Sequence, residues 1–144
     1  MSQNTTSKYV INVINKYKLK LKNIMSNPEP DKWIVIKFKE LEDFEDEDEK
    51  LPIYKLFASW YGGYTEGDKW KMNSGITKIK VRKNFILFYG TSGSCYKCHK
   101  KSYGTSFYTS GVASNIIEDE NNKNKNGNAS IMDENTNWLE LDLI

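Results

Sequence analysis

Two hydrophobic periods divide this chain. Between Lys8 and Met25, Val10, Val13, Ile14, Tyr17, Leu21 and Ile24 recur near i, i+3, i+4, i+7 spacing, with Lys16, Lys18, Lys20 and Lys22 between them. Such a period predicts an amphipathic helix. The alternation from Tyr17 to Lys22 fits a strand as well. Ser26-Asn-Pro-Glu-Pro30 closes the segment, because proline cannot continue a helix and restricts the residue before it. The apolar face is expected to pack back onto the rest of the chain, with a membrane surface or a partner groove as alternatives.

From Trp33 the period falls to two. Ile34, Ile36 and Phe38 share one side of Trp33–Lys39 and Val35, Lys37 and Lys39 the other, the pattern of a half-buried strand. Leu51 to Trp60 predicts a second strand with Pro52 at its start. Gly62-Gly63 and Gly67-Asp68 mark turns, Trp70 to Met72 a short strand, and Ile76 to Arg82 a third main strand. Thr77, Ile79 and Val81 there oppose Lys78, Lys80 and Arg82. With Lys83-Asn84 as a two-residue turn, Val81 faces Ile86 and Ile79 faces Phe88. Lys78, Lys80 and Arg82 then share the other face with Phe85, Leu87 and Tyr89. Phe85 to Tyr89 is apolar on both sides, which predicts a central strand.

Ser110 is a candidate cap for a short helix over 111–118, with Val112, Ala113, Ile116 and Ile117 inward. The Asn-rich stretch after it reads as a linker, and Asn137 to Ile144 alternates like a last strand. The expected fold is therefore mainly β within an α+β class. It is a small antiparallel sheet or partly open barrel of five or six strands, with an N-terminal amphipathic helix and one short helix near the C-terminal end of the domain. The expected division is an arm at 1–30, a β domain at 31–118, a disordered linker at 119–136 and an apolar strand-like segment at 137–144.

Charge changes this picture more than composition does. The net charge of +2 over 144 residues conceals blocks of +4 in 1–32, −6 in 33–68, +9 in 69–117 and −5 in 118–144. Residues 69–117 contain no Asp or Glu, whereas Glu40 to Glu49 holds eight carboxylates in ten residues. That acidic run has no glycine to make the turn of a calcium loop, and like charges of this density favour a solvated loop. No apolar run approaches the roughly 18 residues of a membrane span. Nothing resembles a signal peptide, so an intracellular location and reduced thiols are expected. The richness in Lys, Asn and Ile suggests an AT-rich genome, such as that of a large virus or a protist, and carries no mechanism.

Candidate chemistry is sparse. Cys95-Tyr-Lys-Cys98-His99 spells the haem c attachment pattern, but strands rather than helices surround it. His99 is the single histidine, so Cys95, Cys98 and His99 fall one ligand short of a structural zinc site. Ordinary strand or turn residues are the expected reading, with no metal and no cofactor. Gly90-Thr-Ser-Gly-Ser94 lacks the Gly-Lys-Ser/Thr ending of a P-loop and reads as a turn. A carboxylate-free centre with one imidazole offers few parts for catalysis, so the chain is expected not to be an enzyme.

Two binding functions remain. The first is a non-enzymatic accessory protein that binds another protein, with Trp138, Leu139, Leu141 and Leu143 as the candidate contact row. The second is nucleic-acid binding through Lys78, Lys80, Arg82, Lys97, Lys100 and Lys101, with Tyr89 and Tyr96 as stacking rings.

Overall fold

The computed structural model describes residues 8, 10–17, 27–39, 51–62, 67–123 and 128–143. The acidic run at 40–49 and the second half of the expected N-terminal helix lie outside these. Helix α1 covers residues 10–17. Strands follow at β1 (Lys32–Lys39), β2 (Ile53–Trp60), β3 (Lys69–Met72), β4 (Ile76–Val81), β5 (Phe85–Gly90) and β6 (Cys95–His99). A 3₁₀ turn (Lys100–Ser102), helix α2 (Phe107–Lys123), strand β7 (Asn128–Ile131) and a second 3₁₀ turn (Trp138–Glu140) complete the order. No described helix is long and apolar enough to cross a membrane.

The strands form two antiparallel sheets, ordered β3-β2-β1-β7 and β4-β5-β6, and they do not close into a barrel. Two cores explain the stacking. Between the sheets lie Trp33, Val35, Leu56, Ile86, Phe88, Tyr96, Cys98 and Trp138. On the opposite side of the first sheet, Ile34, Ile36, Phe38, Phe57 and Ala129 meet α2 through Ala113, Val112 and Ile116. The layers are helix, sheet, sheet. β1 is thus buried on both faces rather than half-buried. The even-numbered apolar residues face the helix, and Trp33 and Val35 face the second sheet.

The β4–β5 register matches the expectation, with Ile79 opposite Phe88 and Val81 opposite Ile86. The Arg82 amide donates to the Phe85 carbonyl at 2.9 Å across the Lys83-Asn84 link. No non-glycine residue has positive φ among the described residues, so Asn84 does not supply the left-handed conformation considered for it. A bulge between Ile76 and Lys78 puts Ile76, in place of Thr77, into the inter-sheet core. β5 is central in its sheet, as expected.

Five expectations are corrected. The helix near the C-terminal end starts at Phe107, not 111, and runs 17 residues. Ser106, not Ser110, caps it: the Ser106 hydroxyl accepts the Thr109 amide at 3.2 Å and the Thr109 hydroxyl accepts the Ser106 amide at 2.9 Å. That reciprocal pair is a capping box. Residues 119–136 are not simply a linker: they hold the last turns of α2 and strand β7, which pairs with β1. Trp138 to Glu140 form a 3₁₀ turn instead of a strand. Finally, α1 does not pack back on the sheets: Val10, Val13, Ile14 and Tyr17 are 46–63% exposed.

Candidate binding face

The outward face of β4-β5-β6 collects most of the basic candidates. Alternation sends Ile86, Phe88, Tyr96 and Cys98 to the core, so Phe85, Leu87, Tyr89, Lys97 and His99 point the other way. Across the strands Lys78 pairs with Tyr89, Leu87 sits between Lys80 and Lys97, and Phe85 faces His99. None of the residues Phe85, Leu87, Tyr89, Lys97 and His99 belongs to either core.

The lysines lie over the rings. Lys78 and Lys80 place their ammonium groups 5.5 and 5.6 Å from the Tyr89 ring centroid, and Lys97 places its own 4.4 Å from that of Phe85. Phe85, Leu87 and Tyr89 are half-buried, and the ammonium groups over the two rings make cation–π contacts. Burial pushes the Tyr89 phenol up, helped by Cys95 and opposed by Arg82, so the ring stays neutral at physiological pH.

Among the described residues, Glu29 is the carboxylate that forms ion pairs with this face. One oxygen, Oε1, is 3.1 Å from Lys97 Nζ and 3.6 Å from His99 Nε2. Its segment is anchored on both sides: the Lys97 amide donates to the Pro28 carbonyl at 3.0 Å, and Trp60 Nε1 donates to the Glu29 carbonyl at 3.1 Å. No sequence pattern connects Glu29 to β6, because the contact is made by the chain crossing the edge of that strand.

The remaining basic candidates sit at the hairpin end. Arg82 is exposed, and Lys100 and Lys101 stand exposed in the 3₁₀ turn after β6, held there by a 3.0 Å bond from the Lys100 amide to the Asn84 carbonyl. Tyr96 does not belong to the site. It is 3% exposed and packs between the sheets, because it shares the inward parity of Cys98.

Strand geometry also separates the thiols. Cys95 and Cys98 are three residues apart on β6 and therefore on opposite faces. Both are buried and free. Burial pushes both thiols up, Cys98 far above the ordinary range and Cys95 against lowering by Tyr89 and Lys80. Neutral, buried thiols facing apart suit neither one metal ion nor the two vinyl groups of a haem. Among the described residues, no three His, Cys, Asp or Glu side chains gather in a metal-holding arrangement.

The candidate protein-contact row is largely taken up by the fold. Trp138 is buried between the sheets, and Leu141 and Leu143 pack against the same core. Leu139 alone of the four is well exposed, at 65%. Leu143 also lines an open, largely apolar depression of about 120 Å³ with Pro52, Ile53 and Thr91. Other exposed apolar side chains gather elsewhere, with Phe107 and Tyr108 adjacent at the start of α2. No protein-family model matches this chain, and neither a curated protein nor a solved structure shows significant similarity to it.

Proposed function

We propose that the chain is a non-enzymatic binding module that holds single-stranded nucleic acid on the outer face of β4-β5-β6. One observation carries the reading. Lys78, Lys80 and Lys97 share one sheet face, outside both cores, with Phe85, Leu87 and Tyr89, inside a 49-residue block without a carboxylate. Ammonium groups on one face neutralise phosphates of a single strand, and the rings beneath them become sequence-tolerant stacking platforms for bases once the lysines swing onto those phosphates. A three-stranded sheet face suits an extended single strand better than the groove of a duplex.

Retention of labelled oligothymidylate tests this. Binding at low salt should weaken linearly on a log–log scale, and replacing Lys78, Lys80 and Lys97 by Gln should flatten the slope by about 2, at about 0.7 per lost single-strand contact. Gln at Lys8, Lys16 and Lys123, which lie off the face, should change it far less. No retention at low salt sinks the reading.

A second reading, binding to another protein, is favoured by the fully exposed Phe107 beside the 59%-exposed Tyr108. Substituting Ser at both should then abolish partner capture while leaving oligonucleotide retention intact.

A further inference from the structure

Glu29 is an anion placed by the fold on a face built to hold anions. Its Oε1 lies within 3.6 Å of two cationic or hydrogen-donating groups, Lys97 Nζ and His99 Nε2. Phe85 completes the corner: its ring is 4.4 Å from the same ammonium and makes an edge contact with the His99 ring at 6.5 Å between centroids. The backbone that carries Glu29 is held on both sides. The Pro28 and Glu29 carbonyls are bonded to β6 and to Trp60, the Asp31 amide donates to Ser59, and the Asp31 carboxylate accepts the Tyr61 amide. Both partners and the carboxylate keep between a third and a half of their side-chain surface in water, so an outside anion can reach them.

Resting on the reading above, we infer that Lys97, His99 and Phe85 form a phosphodiester subsite with a ring beside it, and that Glu29 fills this subsite in the free protein as a tethered internal competitor. An incoming strand must displace the Glu29 carboxylate from Lys97 before a phosphate takes its place. The contact costs affinity at that subsite and discriminates against short anions, which cannot recover the cost at Lys78 and Lys80. A polyanion long enough to span β4 to β6 recovers it.

Fluorescence anisotropy with labelled oligothymidylate, on wild type, Glu29→Gln, Lys97→Gln and the double variant, tests the inference. Glu29→Gln should tighten binding about two- to fivefold, the range of an exposed ion pair. The log K against log salt slope should stay the same, because Lys97 ends on one phosphate in both proteins. In the Lys97→Gln background the same change should not tighten binding, since the two substitutions act through one contact. Thermal unfolding of each variant checks that the fold persists; the bonds that anchor the segment use backbone carbonyls and survive Glu29→Gln. If wild type binds and Glu29→Gln binds with equal affinity, the inference fails and the nucleic-acid reading stands. Should neither bind at low salt, both fail. Binding by Glu29→Gln alone supports the competitor most strongly.

Discussion

Trp33 joins the two sheets through a single side chain. It is 1% exposed, its ring lies 4.7 Å from Tyr103, 5.3 Å from Phe88 and 5.7 Å from Trp138, and its Nε1 donates to the His99 carbonyl at 2.7 Å. Trp33→Phe keeps an aromatic ring but leaves that carbonyl unpartnered, so it should cost about 1–3 kcal/mol in urea unfolding. Tyr103 makes a second polar tie in the same cluster, donating its hydroxyl to the Met132 carbonyl. Burial, with smaller contributions from Asp133 and Glu134 and against a lowering by Val35, pushes its phenol from 10.0 up to about 12. The folded state therefore prefers the neutral phenol more than the unfolded chain does. The stability this preference contributes is fully present below pH 10 and is lost as pH rises from 10 to 12. Thermal midpoints should fall across that window, and Tyr103→Phe should make the fall shallower while lowering stability by about 1 kcal/mol at neutral pH. An unchanged alkaline profile in Tyr103→Phe would show that Tyr103 does not govern it.

At the level of elements, α2 is defined by its first turn as well as by its apolar face. Only Thr109 and Ala113 are fully buried along it. The Ser106–Thr109 capping box therefore carries much of its definition, and the Ser106 hydroxyl also donates to Asp68 at 2.7 Å, linking the helix start to the approach to β3. Ser106→Ala should cost about 1 kcal/mol, the usual value of an N-cap, with a loss of helical circular dichroism before the main transition. Asn121 does a comparable job at the other end. Its side chain accepts the Ala129 amide at 2.7 Å and donates to the Ala129 carbonyl at 3.3 Å, covering that position of the β7 edge as a further strand would. The sequence shows Ser106 and Thr109 at box spacing, but Ser110 lies closer to the apolar positions, which is why the cap is easily misplaced. Nothing local marks Asn121 as the partner of a strand.

For the molecule as a whole, the C-terminal residues act as a cover rather than an arm. Trp138 seals the end of the inter-sheet core, in contact with Trp33, Phe88 and Tyr103. Removing residues 137–144 should cost about 3–5 kcal/mol, the scale of deleting a buried aromatic side chain. That is a large part of the about 5–15 kcal/mol that holds a domain together, so the truncated chain should unfold at far lower urea. Leu139→Ser should leave the midpoint within about 0.5 kcal/mol, because Leu139 faces water. Equal losses from both changes would refute this view of the segment. The same arrangement leaves Leu139 as the one well-exposed member of the terminal row.

What the chain determined by itself is local. Period-two alternation marked Trp33–Lys39 and Ile76–Arg82 as strands, an apolar run marked Phe85–Tyr89, and a two-residue link fixed the pairing of Ile79 with Phe88, because hairpin register depends on neighbours only. The shared face of Lys78, Lys80, Phe85, Leu87 and Tyr89 follows from the same parity and was legible for that reason. Only the tertiary structure decided that β1 is covered twice, that an Asn-rich stretch supplies β7, that Tyr96 turns inward, and that Glu29 reaches Lys97. Each of these joins residues far apart in sequence, and the energy that selects them is area buried between layers, which no local pattern records.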